Sequence, residues 1–298
     1  MGRHPRTVAS HVILIGACAA AGLAVRASPV LEAQAAPSVQ DTLARVGDRV
    51  AEWFTRARSV MSDERVSIQS LRADMTSDTP PRRLDFELRV AWDPDEALAG
   101  APVEARVMRQ LVRVNGRAPR PRDEAGCLDP KNATPEALAM FLPEKRADFQ
   151  FSHAGRTTIG GRAALMLDYR PRTRRIPDVT WRADCVTVDL PGWTAGRVWI
   201  DAETHDVLRL DERLTGQYEF NVPREHQRRG APRWMVIERA DSSVRYRRVE
   251  FADPPETLML PQNVDVVTVF RGAGIQRHRI RQQYSGYRRF LADARVVP

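Results

Sequence analysis

Lysine is almost missing from this chain. Of its 46 basic residues only Lys131 and Lys145 are lysines, and the rest are arginines. The arginines run through every segment instead of gathering on one stripe or tail. A formal net charge of +8 therefore does not amount to the footprint of a nucleic-acid binder, and no nucleic acid is expected as a partner. Near-uniform use of Arg for Lys is what a GC-rich genome would produce. Histidine is sparse too: beyond the amino terminus there are His153, His205, His226 and His278, with no HExxH or comparable ligand spacing, so no metal and no cofactor is expected. There is no GxSxG elbow, no P-loop and no full GxGxxG, and Gly272-Ala273-Gly274 lacks the third glycine and falls between strands. Adjacent Ser152 and His153 would point to opposite faces of a strand. Carboxylates such as Asp211 with Glu212, or Asp201 with Glu203, read as solvated strand and turn residues. No catalytic residue is assigned. After residue 25 no apolar run approaches the length needed to cross a bilayer.

What is present begins with an export signal. Arg3, His4 and Arg6 precede an apolar stretch over residues 12–25, and Ala33-Gln34-Ala35 fits a small-x-small cleavage site before Ala36. Residues 1–35 are expected to be a signal peptide, and residues 36–298 a single β-rich domain with long loops. A rival reading of the same region takes Ile15-Gly16-Ala17-Cys18 as a lipobox, with Cys18 acylated as the first residue of a lipoprotein. Both readings place the chain in the periplasm or at the outer membrane.

Either route leaves Cys127 and Cys185 as the only cysteine pair in the exported part. An even count in an oxidising compartment reads as a disulfide. On the chain-entropy model such a bridge would stabilise the fold by about 4 kcal/mol. Two buried free thiols are the alternative.

Ser38 followed by Asp41 reads as a capped helix start. Val39, Leu43, Val46, Val50, Trp53, Ala57 and Val60 then recur at steps of three and four, predicting an amphipathic helix of about twenty residues. Its apolar face, Leu43, Val46, Val50, Trp53 and Ala57, is the candidate lid over a sheet. A helix lying on a membrane surface is the alternative.

The rest is β-rich. Leu84, Phe86, Leu88 and Val90 alternate with polar residues, and 106–114 reads as their partner, ended by Asn115-Gly116. Loop 117–133 carries Cys127, and Asn132-Ala133-Thr134 matches a glycosylation sequon by chance. Thr134 and Pro135 start a short helix over Leu138, Phe141 and Leu142. Strands are expected over 148–151 and 162–169. Stretch 170–194, which includes RPRTRR, reads as irregular and solvated. The clearest hairpin follows: Val198 and Ile200, then Leu208, Leu210 and Leu214, on either side of a turn near 202–205. Further strands are expected over 234–239, 244–251, 263–271 and 275–284. The predicted class is α+β, mainly antiparallel: a curled sheet or incomplete β-barrel of about ten strands with an N-terminal amphipathic helix.

At that hairpin, GRVWIDAETHDVLRLDERL resembles the strand-turn-strand of the outer-membrane lipoprotein carrier superfamily, the LolA and LolB type, and Leu260-Pro261-Gln262 with the terminal YRRF resembles the end of such domains. Over nearly all of residues 36–298 the plan is also similar to uncharacterised secreted proteins of acidobacterial type. The resemblance implies a periplasmic or outer-membrane-associated binding protein for a lipid, a lipoprotein acyl chain or another apolar ligand. Two other functions stand beside it: an envelope scaffold contacting anionic membrane or a protein through arginine-rich loops, and a hydrolase.

Overall fold

Thirteen strands and one long helix carry the described part of the chain in this computed structural model, which describes residues 38–57, 59–91, 106–121, 123, 126–130, 137–182, 185–227, 233–272 and 274–289. The expected signal peptide, Cys18, the sequon, the Thr134 helix cap and the last residue of YRRF lie outside the described residues.

Helix α1 (Val39–Arg56) starts where Ser38 accepts the Asp41 amide at 3.0 Å, the hydrogen bond expected of an N-cap. It ends a turn earlier than the apolar periodicity suggests. Val60 already belongs to strand β1 (Ser59–Ser70), paired with Val90 and Arg289. A β-branched residue with two strand neighbours loses less in a sheet than in a fourth helical turn.

Strands β2 (Arg82–Ala91), β3 (Arg106–Val114), β4 (Phe149–Ile159), β5 (Arg162–Pro171), β8 (Thr194–Asp201), β9 (Val207–Leu214), β11 (Trp234–Ala252), β12 (Pro255–Arg271) and β13 (Ile275–Arg289) join β1 in one sheet ordered β3-β2-β1-β13-β12-β11-β9-β8-β5-β4. A short β10 (Tyr218–Asn221) adds to β11, making eleven strands, and every described pairing is antiparallel. The sheet curls, but its end strands β3 and β4 do not pair with each other, so it is an open barrel. This is the α+β class expected, with one strand more than the ten anticipated.

The differences have local causes. What reads as two strands over 234–251 is the single β11, because the polar break Asp241-Ser242-Ser243 pairs with Arg213, Glu212 and Asp211 of β9. Ser243 Oγ donates to Asp211 Oδ1 at 2.7 Å, so a polar residue need not end the strand. Stretch 170–194 is not irregular throughout: β6 (Asp178–Arg182) and β7 (Cys185–Asp189) form a separate two-stranded hairpin. Five-residue strands around Thr180, Trp181 and Thr187 carry too little alternation to stand out among prolines and arginines.

The main core lies between α1 and one face of β5, β8, β9, β11 and β12. Leu43, Val46 and Val50 of the helix join Leu167, Val198 and Leu210 of the sheet, each 3% exposed or less. Full burial of side chains of this size stabilises by about 1.5–3 kcal/mol each. The turn Ala137–Phe141 closes over the helix, with Phe141 fully buried. Gly47 is where that approach is tightest: a Cβ there would lie 2.8 Å from the Phe141 carbonyl oxygen. In β8, Gly196 has the same role against its neighbours, since a Cβ would meet the Asp211 carbonyl oxygen at 2.0 Å and the Tyr169 hydroxyl at 2.7 Å. Tyr169 folds across that gap and donates to Glu212 at 2.8 Å. A smaller cluster, Val66, Ile68, Leu84 and Val114, fills the β1-β2-β3 end of the sheet.

Candidate functional site

Alternation along the strands decides what the curled face presents. In β1 the buried set is Val60, Ser62, Glu64, Val66 and Ile68, all pointing one way. Opposite them in β13 stand Tyr284, Gln282 and Ile280, paired with Glu64, Val66 and Ile68. Beside them in β12 are Val264 and Val266, paired with Gln282 and Ile280.

Val60 and Ser62 of β1, Gln282 and Tyr284 of β13 and Val264 and Val266 of β12 line a cavity of about 360 Å3 between the last turn of α1 and strands β1, β2, β3, β11, β12 and β13. Its walls are mainly apolar: Leu88, Val90, Val107, Val244, Val264 and Val266, with Trp53 and Ala57 contributed by the helix. The volume falls in the range of about 300–1,000 Å3 that small-molecule sites occupy.

Ser62, Glu212 and Ser242 interrupt these walls, as does a polar cluster around Arg109. Arg109, which lines the cavity, donates through Nε to Glu64 Oε2 at 2.7 Å. Gln282 Nε2 donates to the other carboxylate oxygen at 2.9 Å, and Tyr284 is hydrogen bonded to the same carboxylate. Glu64 is fully buried as a side chain and Arg109 is 8% exposed, so the charges meet away from water and satisfy each other. Burial, followed by the nearby Glu64 charge, pushes the Tyr284 hydroxyl well above its ordinary pKa. Burial does the same to Tyr287, which donates to the Pro261 carbonyl oxygen. Both phenols are therefore neutral at physiological pH.

The five candidate lid residues divide. All are buried, but only Trp53 and Ala57 line the cavity, while Leu43, Val46 and Val50 belong to the main core. The helix is held at several points. Trp53 Nε1 donates to the Met259 carbonyl at 2.8 Å, and Arg49 reaches Asp206 at 2.9 Å. Arg56 and Arg289 both engage Glu256. Away from the cavity, Cys127 and Cys185 are joined by a disulfide with a Cα separation of 5.1 Å, tying the loop after β3 to β7.

Other candidates resolve into structural roles. The arginines of RPRTRR are exposed, as expected of a solvated run, and make contacts along the surface: Arg172 donates to the Ala147 carbonyl, Arg174 lies 4.4 Å over the Trp193 ring, and Arg175 approaches Asp148. Asp201, by contrast, is not a solvated turn residue. It is 3% exposed and accepts the Glu203 and Thr204 amides at 3.0 and 2.7 Å. Burial raises its pKa, but those amides, the Arg162 guanidinium and the Thr204 hydroxyl outweigh that and hold it below the usual value. Asp211 is held by Arg209 and Ser243, and Glu212 by Tyr169. Among the described residues no group of three or more His, Cys, Asp or Glu is placed to hold a metal ion.

Sequence reasoning did not single out Glu64, Arg109, Gln282 or Tyr284. The available signal was a charge in phase with apolar residues: Glu64 sits on the Val60–Ile68 alternation, and Arg109 between Val107 and Leu111.

No family model and no curated protein sequence matches the chain. Among solved structures it is similar to a domain from Vibrio parahaemolyticus described as an outer membrane lipoprotein-sorting protein, at 9% identity over 87% of this chain and 96% of that one, with a TM-score of 0.43. It is also similar to a LolA superfamily protein from Nitrosomonas europaea, at 12% identity, 88% and 99% coverage and a TM-score of 0.31. A DUF1329 family protein from Desulfovibrio piger matches at 9% identity, 88% and 96% coverage and a TM-score of 0.37. Two of the three carry the lipoprotein-sorting or LolA description that the hairpin sequence resembles. At TM-scores below 0.5 they carry no argument about activity, and the fold rests on the sheet order itself.

Proposed function

We propose that this protein is a binding protein of the bacterial envelope that holds a lipid, a lipoprotein acyl chain or another apolar ligand in the cavity beneath the last turn of α1. The observation that carries the proposal is the cavity itself. It has mainly apolar walls from six strands, an apolar contribution from the helix, and an Arg109 whose charge is met by the buried Glu64 behind the wall. Such walls offer an acyl chain burial worth about 0.8 kcal/mol per methylene, while pairing with Glu64 offsets the Arg109 charge at the wall. In this reading residues 1–35 direct export, residues 36–298 act as one domain, and Trp53 and Ala57 form the helix side of the site.

The basic surface would draw the protein towards anionic membranes, from which such a ligand is taken or to which it is delivered.

Native mass spectrometry after incubation with a bacterial lipid extract tests the proposal. The expected result is one lipid per chain, lost on filling the cavity with Val264→Trp. A protein that stays folded and takes up no lipid overturns it.

A further inference from the structure

A second cavity, of about 560 Å3, lies towards the other end of the same sheet and shares no lining residue with the first. The sheet supplies Ile68, Met235 and Phe270 to it. The other side comes from segments outside the main sheet: the loop with Cys127 and Leu128, Val186 of β7 and Trp181 of β6. The disulfide fastens these segments to one another.

Three residues that line this cavity carry buried polar atoms with no hydrogen-bond partner among the described residues: Trp181 Nε1, His278 Nδ1 and Asp129 Oδ1. Buried polar groups are nearly always paired, so three on residues around one cavity call for a reason. Trp181 is held in place by stacking on His226, with ring centroids 4.7 Å apart. Asp129 is fixed through its other oxygen, which accepts from Arg82 at 3.0 Å and from the Gly126 amide at 3.0 Å. The Arg82 and Asp129 charges cancel. Burial lowers the His278 pKa, which leaves that ring uncharged as well.

The unpaired atoms define the missing chemistry. An indole N–H only donates, an ionised carboxylate oxygen only accepts, and a neutral imidazole nitrogen does one or the other. The geometry points to a second binding site here, for a neutral amphiphile whose apolar body carries a hydroxyl or a primary amide. Such a group both donates, as Asp129 requires, and accepts, as Trp181 requires. A carboxylate ligand can do only the second and would bring a second negative charge beside Asp129. A hydrocarbon without a polar group does neither.

The test is a titration with 1-octanol, octanamide and octanoate, followed through the Trp181 indole N–H in nitrogen-15 correlation spectra. Trp181→Phe identifies that signal by its loss, and backbone-linked assignment identifies it should that variant not fold. The alcohol and the amide are expected to shift the signal saturably, with octanoate at least about tenfold weaker. Val186→Phe, which adds bulk to this cavity, is expected to abolish the shift, and Val264→Trp in the first cavity to leave it unchanged. A Trp181 signal unmoved by all three compounds overturns the proposal. So does octanoate binding as well as octanol, or a shift that survives Val186→Phe in the folded protein.

Discussion

Arg109 of β3 donates to Glu64 of β1 at 2.7 Å with 8% and 0% of the two side chains exposed, across the intervening strand β2 and beside an apolar cavity. Removing one member leaves the other buried without its partner. Glu64→Gln or Arg109→Met is expected to cost about 3–5 kcal/mol in chemical denaturation, whereas Glu64→Leu with Arg109→Met should recover most of that loss. Additive losses in the double variant would show that the pair is not the coupled unit described.

Ligand chain length gives a second expectation. If the chain packs against Val244, Val264 and Val266, each added methylene should tighten binding about fourfold, the equivalent of about 0.8 kcal/mol. The gain should stop once the chain outgrows a volume of about 360 Å3. A flat series from eight to fourteen carbons, read by competition with a fluorescent fatty acid, contradicts burial in this cavity.

Helix α1 is largely part of the core, so its loss should be felt as instability. Leu43, on the buried face of the helix, is 2% exposed, and Leu43→Ala is expected to cost about 2–5 kcal/mol. Trp53→Phe keeps an aromatic ring and loses the bond to Met259, a loss worth about 0.5–1.5 kcal/mol. Urea unfolding of the two variants distinguishes a packed helix from one resting loosely on the sheet.

Acidification should destabilise the protein in two windows. The folded-state pKa of His278 lies below its ordinary 6.5, because burial disfavours the charged ring. Between 6.5 and that lower value the unfolded chain binds a proton that the folded one does not, so stability falls as pH falls. Asp201 is also held below its ordinary 3.8. Its contribution is full above that value and is lost as pH drops through the folded value. Melting temperatures from pH 8 to pH 3 check both: His278→Phe should flatten the upper window, and Asp201→Asn the lower.

The disulfide closes a span of 58 residues, and reduction should cost about 4 kcal/mol on the chain-entropy model. Denaturation with and without a thiol reductant measures it. An unchanged midpoint contradicts a stabilising role.

Sequence made the scaffold legible wherever a period was long and clean. The helix stripe from Leu43 to Ala57 and the β8-β9 hairpin around Val198 and Leu210 stand in the structure as spaced. The site was less legible because it is assembled from strands distant in the chain. Glu64 and Gln282 meet at a separation of 218 residues, and no local pattern ties one to the other. The hairpin β6-β7 and the second cavity escaped for a related reason. Trp181, Leu128 and Met235 become neighbours only when the disulfide loop and the long strand β11 come together.

The central claim, that the cavity under α1 holds an apolar chain, is tested most directly by titrating a fluorescent fatty acid into the wild-type protein and into Val264→Trp. The account predicts saturable one-to-one binding to the wild type and at least about tenfold weaker binding to a variant whose circular dichroism is unchanged. Equal binding to both proteins, or none to the wild type, would contradict it.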